Sequence, residues 1–90
     1  MKKTYIISYD LKNANSDSYE KITEYIKSHG TWAHINESLW AIKTEKSAIL
    51  IRDEFTDIVP NGSSVFIIKS GVEAAWFNVL FRNEWLKDNL

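Results

Sequence analysis

The side chains of this 90-residue chain best suited to chemistry are few. Asp10 closes an apolar stretch, Tyr5-Ile6-Ile7-Ser8-Tyr9-Asp10. A carboxylate in that place can ligate Mg²⁺, whose octahedral shell takes one or two carboxylates and several waters. The same residue can instead cap the loop that follows, through Asn13 or a backbone amide. Ser8, two residues earlier, shares a strand face with Asp10 and could hold a phosphate or a metal-bound water; the alternative is a structural serine on a half-buried strand. Trp32, His34 and Trp40 form a second cluster. On an open sheet face their rings could stack bases, and His34 could act as a general acid or base near neutral pH. The alternative packs both indoles in the core or a dimer interface, with His34 hydrogen-bonded beside them. His29 reads as a helix C-terminal histidine interacting with the dipole.

Other chemistries are closed off. Cysteine is absent, which excludes disulfides, thiolate nucleophiles and zinc–thiolate sites. There is no phosphate-cradling glycine loop, no His-x-x-x-His pair and no Ser-His-Asp arrangement in a recognisable context. Eleven basic and twelve acidic side chains are interspersed, for a formal net charge of −1. Without a basic run to release counterions, the chain is a poor candidate for a dedicated high-affinity DNA binder. A patch assembled in three dimensions, or across a dimer, stays open. Met1-Lys2-Lys3-Thr4 looks like the charged end of a signal peptide, but the apolar run after it is short and broken by Ser8 and Asp10, so it reads as a strand. No stretch approaches transmembrane length, so no membrane partner is expected and the cytoplasm is the default location.

The elements that must position these residues follow from periodicity. Thr4 to Leu11 is β-branched and aromatic, with Tyr5, Ile7 and Tyr9 on a face suited to lie under helices and Thr4, Ile6, Ser8 and Asp10 on the other. Asp17 can cap a first helix, with Glu20 completing a capping box, Tyr19, Ile22 and Ile26 as its apolar stripe, an end near Ser28 and Gly30 as the stop. Trp32-Ala33-His34-Ile35 and Leu39-Trp40-Ala41-Ile42 fit a hairpin turning at Asn36 to Ser38, one long bent strand being the competing reading. Thr44 can cap a second helix from about Glu45 to Asp57, with Ala48, Ile51, Phe55 and Ile58 inward and Arg52-Asp53-Glu54 on a solvated face. Pro60-Asn61-Gly62 is a breaker and turn, and Ser64 to Ser70 a strand whose apolar run predicts burial on both faces. The tail from Gly71 to Leu90 holds the docking segment Ala74-Ala75-Trp76 and a short helix starting at Arg82 or Asn83, which would dock Trp85 and Leu86.

The expected fold is therefore a single α+β domain over residues 1–90. It is of ferredoxin-like βαββαβ type, with a four-stranded antiparallel sheet, two helices on one face and a C-terminal tail with a short helix. The helix-free face would be solvated, covered by the tail or buried in a dimer. A chain this small buries a modest share of its surface, and its four Trp would suit an interface or a site.

The first strand, Tyr5-Ile6-Ile7-Ser8-Tyr9-Asp10-Leu11, resembles that of the CRISPR-associated protein 2 family, an apolar strand ending in Tyr-Asp. The remainder is closer to the short bacterial and phage proteins called SinR-like, which are similar to that family. The matching pieces are Gly30-Thr31-Trp32-Ala33-His34, Glu37-Ser38-Leu39-Trp40, Ser47-Ala48 with Ile51-Arg52-Asp53, Ala74-Ala75-Trp76 and Glu84-Trp85-Leu86-Lys87. The resemblance implies a ferredoxin-like fold, shared by the RNA-cleaving VapD toxins, and a homodimer. It also implies association with nucleic acid and, in some members, metal-dependent nuclease activity through the aspartate that matches Asp10. That residue would then hold Mg²⁺ together with its twofold mate.

Two departures stand out. Family members usually carry a Ser-Val-Phe type segment with basic residues where this chain has Glu37-Ser38-Leu39-Trp40. SinR-like proteins often have a glycine soon after Ala-Ala-Trp, where this chain has Phe77-Asn78. The expectation is a homodimeric binder of nucleic acid or nucleotide with Asp10 as candidate catalytic and metal residue, and Ser8, Trp32, His34 and Trp40 as candidate binding residues. The alternatives are a non-catalytic interaction or regulatory protein of bacterial defence or phage counter-defence, or a nucleotide-binding sponge.

Overall fold

The computed structural model describes residues 1–71 and 73–90; Val72, in the segment read as the tail, lies outside them. In chain order the elements are β1 (Lys3–Asp10), α1 (Ser16–Lys27), β2 (Trp32–Asn36), β3 (Leu39–Thr44), α2 (Ala48–Thr56), β4 (Ser64–Lys69) and α3 (Asn83–Asn89). The chain is α+β, with one four-stranded sheet of order β2-β3-β1-β4 in which every neighbouring pair is antiparallel. β1 therefore lies parallel to β2 with β3 between them, and β3 parallel to β4 with β1 between them.

The alternation in β1 is obeyed. Tyr5, Ile7 and Tyr9 pack with Ile22 and Ile26 of α1, Ile51 and Phe55 of α2, and Trp40 and Ile42 of β3. The six Ile and Phe of this set are fully buried. Tyr19 does not join them: it is half exposed, because it sits on the outer flank of the first turn. α1 starts two residues earlier than its acidic signal indicated. Asn15 is the cap, its Oδ1 accepting from the Ser18 amide at 3.0 Å while Ser18 Oγ accepts from the Asn15 amide. Asp17 falls in the first turn, where its charge suits the dipole. α2 is likewise capped by Ser47, which accepts from the Leu50 amide at 3.1 Å; Thr44 ends β3, and its Oγ1 accepts from the Lys46 amide.

Glu54 leaves the solvated face expected of Arg52-Asp53-Glu54. Its Oε1 accepts from Lys46 Nζ at 2.7 Å and from the Tyr25 hydroxyl at 2.8 Å, tying α2 to α1. Lys46 Nζ also lies 3.3 Å from His29 Nε2, and His29 Nδ1 lies 3.1 Å from the Ile26 carbonyl in the last turn of α1.

The opposite face of the sheet is covered in part by the tail. Ala33, Ile35, Ala41 and Leu86 form a second buried cluster, with Trp76, Val79, Phe81 and Trp85 packed around it. Leu86 of α3 is fully buried there. Asn78 takes φ 56°, a left-handed conformation that asparagine tolerates better than most side chains, so it can serve where a glycine would otherwise be needed.

β4 departs from expectation. It is an edge strand, with Val65 and Ile67 half-buried beneath the helices but Phe66 64% and Ile68 51% exposed. A continuous apolar run meant burial on both faces only if the strand were central. Here the tail covers the β2–β3 half of the open face and leaves the β4 half bare.

Candidate functional site

The register places Asp10 at the carboxyl end of β1, opposite Ser64, on the face away from α1 and α2. Ser8 is on the same face between Leu39 and Phe66. The β2–β3 hairpin brings its turn to this end of the sheet: Ser8 pairs with Leu39, and the Tyr9 amide donates to the Ser38 carbonyl at 3.2 Å. Tyr9, Asp10, Leu11, Glu37 and Ser38, with Tyr19 from the start of α1, therefore line one open cleft of about 450 Å³.

The Asp10 side chain is 68% exposed, and its Oδ2 lies 3.2 Å from Lys12 Nζ. This ion pair occupies the carboxylate in place of the Asn13 or backbone contact expected of a loop cap. The Lys12 amide donates to Ser63 Oγ at 3.0 Å, so the loop after β1 is anchored to the turn before β4. That turn closes with the Ser63 amide on the Pro60 carbonyl, and Gly62 supplies its φ of +88°. At the floor of the cleft the Tyr9 hydroxyl accepts from Trp40 Nε1 at 3.3 Å; burial holds its pKa above the ordinary tyrosine value, so it stays a neutral phenol.

The aromatic cluster is elsewhere. Trp32, His34 and Trp40 are brought together, with His34 paired to Trp40 and Trp32 to Ile42. They lie on the helix-covered face, and Trp40 is only 3% exposed. His34 stacks flat on Trp40 at 3.9 Å, and Trp32 is closed in by Trp40 at 5.6 Å, Phe81 at 5.4 Å and Lys27 Nζ above its ring. The base-stacking platform expected of these three on an open face is thus not formed, because the hairpin register turns their rings inward. His34 Nε2 lies 3.3 Å from the Glu37 carbonyl, so this residue buttresses the turn rather than lining the cleft.

Glu37 is the residue that sequence reasoning missed as a site candidate, since it reads there as part of a turn and of the segment Glu37-Ser38-Leu39-Trp40. The signal that could have found it is the sheet order: once β3 is placed next to β1, the turn must flank the end of β1. The cleft carries two carboxylates, Asp10 and Glu37, against one nearby ammonium, Lys12. A bare phosphate would be repelled here, whereas a hydrated cation or the hydroxyls of a sugar would not. Among the described residues no group of three or more His, Asp or Glu side chains is placed to hold a metal ion. No helix among them is long and apolar enough to cross a membrane. No family model and no curated protein matches the chain.

Proposed function

We propose that this chain is a ferredoxin-like homodimer, similar to the CRISPR-associated protein 2 family and the SinR-like group, that binds a nucleic acid or nucleotide at the Asp10 end of β1. The ferredoxin-like reading is supported by the order β2-β3-β1-β4, by antiparallel pairing throughout and by the packing of α1 and α2 on one face. The single observation that carries the functional reading is the exposed Asp10 carboxylate, held at a strand end beside Glu37 in an open cleft.

The donor set suits a weakly held Mg²⁺. That ion keeps several of its waters and needs only one or two protein carboxylates, with substrate phosphate completing the shell. Asp10 and Glu37 would hold it, Lys12 competing for the first of them. When bound, the cation would offset the like charge between the cleft and a phosphodiester and polarise it for hydrolysis. Tyr19 and Tyr9 supply apolar walls.

The test is incubation of single-stranded and duplex RNA and DNA with Mg²⁺ or Mn²⁺, comparing wild type with Asp10→Ala. Cleavage by wild type that falls at least about a hundredfold in the variant is expected, the size of effect typical of losing a catalytic group. Equal cleavage by both proteins, or none by either, removes the nuclease. In that outcome the second reading stands: a non-catalytic interaction protein of bacterial defence or phage counter-defence. The observations that favour it are the near-neutral charge and the bare Phe66 and Ile68 on β4.

A further inference from the structure

The two edges of the sheet are treated differently. Along β2, the Leu80 amide donates to the Ile35 carbonyl at 3.0 Å and Phe81 lies against Trp32, so the tail wraps that edge. Along β4 none of the described residues supplies such cover. The Ser70 amide donates to the Thr4 carbonyl at 2.8 Å, which marks Ser64, Phe66, Ile68 and Ser70 as the residues whose backbone groups point inward to β1. The alternation of an antiparallel ladder then turns the N–H and C=O groups of Val65, Ile67 and Lys69 outward. Among the described residues no hydrogen bond reaches them. An exposed apolar edge of this kind is a template for another strand, and its one charged side chain is Lys69, at the end.

We propose that the strand it takes is the β4 of a second copy, paired antiparallel about a twofold axis at Ile67 to make one continuous eight-stranded sheet. A head-to-tail contact of β4 on β2 is disfavoured because the tail occupies the β2 edge; the closed, isologous arrangement remains. The sequence of the strand selects the register. Centred on Ile67, Val65 faces Lys69 of the mate, and Phe66 faces Ile68 of the mate on the open side. The two lysines then lie about four residues apart along the strand, roughly 13 Å, beyond the screening length at physiological salt. Centred on Lys69, the two ammonium groups would stand directly opposite one another. Centred on Val65, Phe66 would face Ser64 and its apolar surface would go unmatched.

The geometry has a consequence for the Asp10 cleft. Asp10 stands beside Ser64, and in this register Ser64 of one copy lies level with Ser70 of the other. The two Asp10 residues are therefore offset by about 20 Å along the strands alone. They cannot share one Mg²⁺, whose ligands sit about 2 Å away, so each cleft works independently. This inference rests on the homodimer part of the proposed function and not on nuclease activity.

The chain has no cysteine of its own, which makes the register directly testable. Phe66→Cys and Ile68→Cys are purified separately, mixed under reduction and then oxidised. Phe66 and Ile68 of the mate form a non-hydrogen-bonded pair with Cα atoms about 4.5 Å apart, inside the range a disulfide spans. The mixture is expected to cross-link at least about tenfold more than either variant alone. Wild type is expected to sediment at twice its 10.5 kDa chain mass, with the Ile67 amide gaining protection from hydrogen exchange as concentration rises. A wild-type monomer overturns both the homodimer and this interface. A dimer whose cross-linking is no greater in the mixture, or whose Ile67 amide stays unprotected at all concentrations, overturns the interface and leaves the homodimer standing.

Discussion

Glu54, Lys46, Tyr25 and His29 meet where α1 ends and α2 passes over it, and the protonation of Glu54 and Tyr25 couples to folding. The hydrogen bonds from Lys46, first, and then Tyr25 hold the Glu54 carboxyl below its ordinary value of 4.5. The folded state thus favours the carboxylate. Glu54 contributes stability at pH above the ordinary value and loses it as pH falls through the lowered one. Tyr25 is shifted the other way, by burial and then by its bond to Glu54, so its contribution is present below pH 10 and is lost as the unfolded chain ionises above it. In Glu54→Gln, urea-unfolding midpoints should fall less between pH 6 and pH 3 than in wild type. The difference should be small, because about a third of each side chain of the Lys46–Glu54 pair stays in water. A wild-type acid limb unchanged by the substitution would remove this coupling. None of it was legible in the sequence, where Arg52-Asp53-Glu54 reads as a solvated face. A contact between helices 29 residues apart has no local signature. Asp10 was legible, because a charged residue closing an apolar strand stands out by type alone.

β1, α1 and α2 were legible from their periodicity and β4 from its apolar run, while the β2–β3 hairpin competed with one long bent strand; caps and edges were less legible. At α1 the acidic pair Asp17 and Glu20 matched a capping box, yet the structure uses Asn15 and Ser18, whose short side chains reach the first amides directly. Asn15→Ala should lower global stability by about 1 kcal/mol, measured by urea denaturation, whereas Asp17→Ala should cost a few tenths through the dipole. The reverse order would restore Asp17 as the cap. For β4 the composition was right and the environment wrong. Val65-Phe66-Ile67-Ile68 suits a strand covered on both faces, and whether a strand is central or at an edge is decided by chain order in the sheet, which hydropathy alone does not encode.

Across the whole molecule, the tail is what closes the second face. Leu86 is fully buried, the one such side chain among the tail's described residues, and is seated among Ala33, Ile35 and Ala41. Leu86→Ala should cost about 2–5 kcal/mol of global stability, visible in thermal or urea melts; a loss under about 0.5 kcal/mol, the range of surface substitutions, would mean that α3 is not docked in solution. The sequence hinted at this docking through the large apolar side chains Trp85 and Leu86 in a short final helix, but not that the tail would stop short of β4. One further consequence follows from the place of β1. It is the first strand of the chain, yet it lies in the interior of the sheet, between β3 and β4. While the chain is being synthesised, Ile7 and its neighbours are made before either partner strand, and Ile6 must wait for Ile68. Such non-local pairing is slow to form and leaves apolar strand exposed meanwhile. Completion of this sheet therefore waits until β4 has been made, and until then the nascent chain is where it is most open to a chaperone.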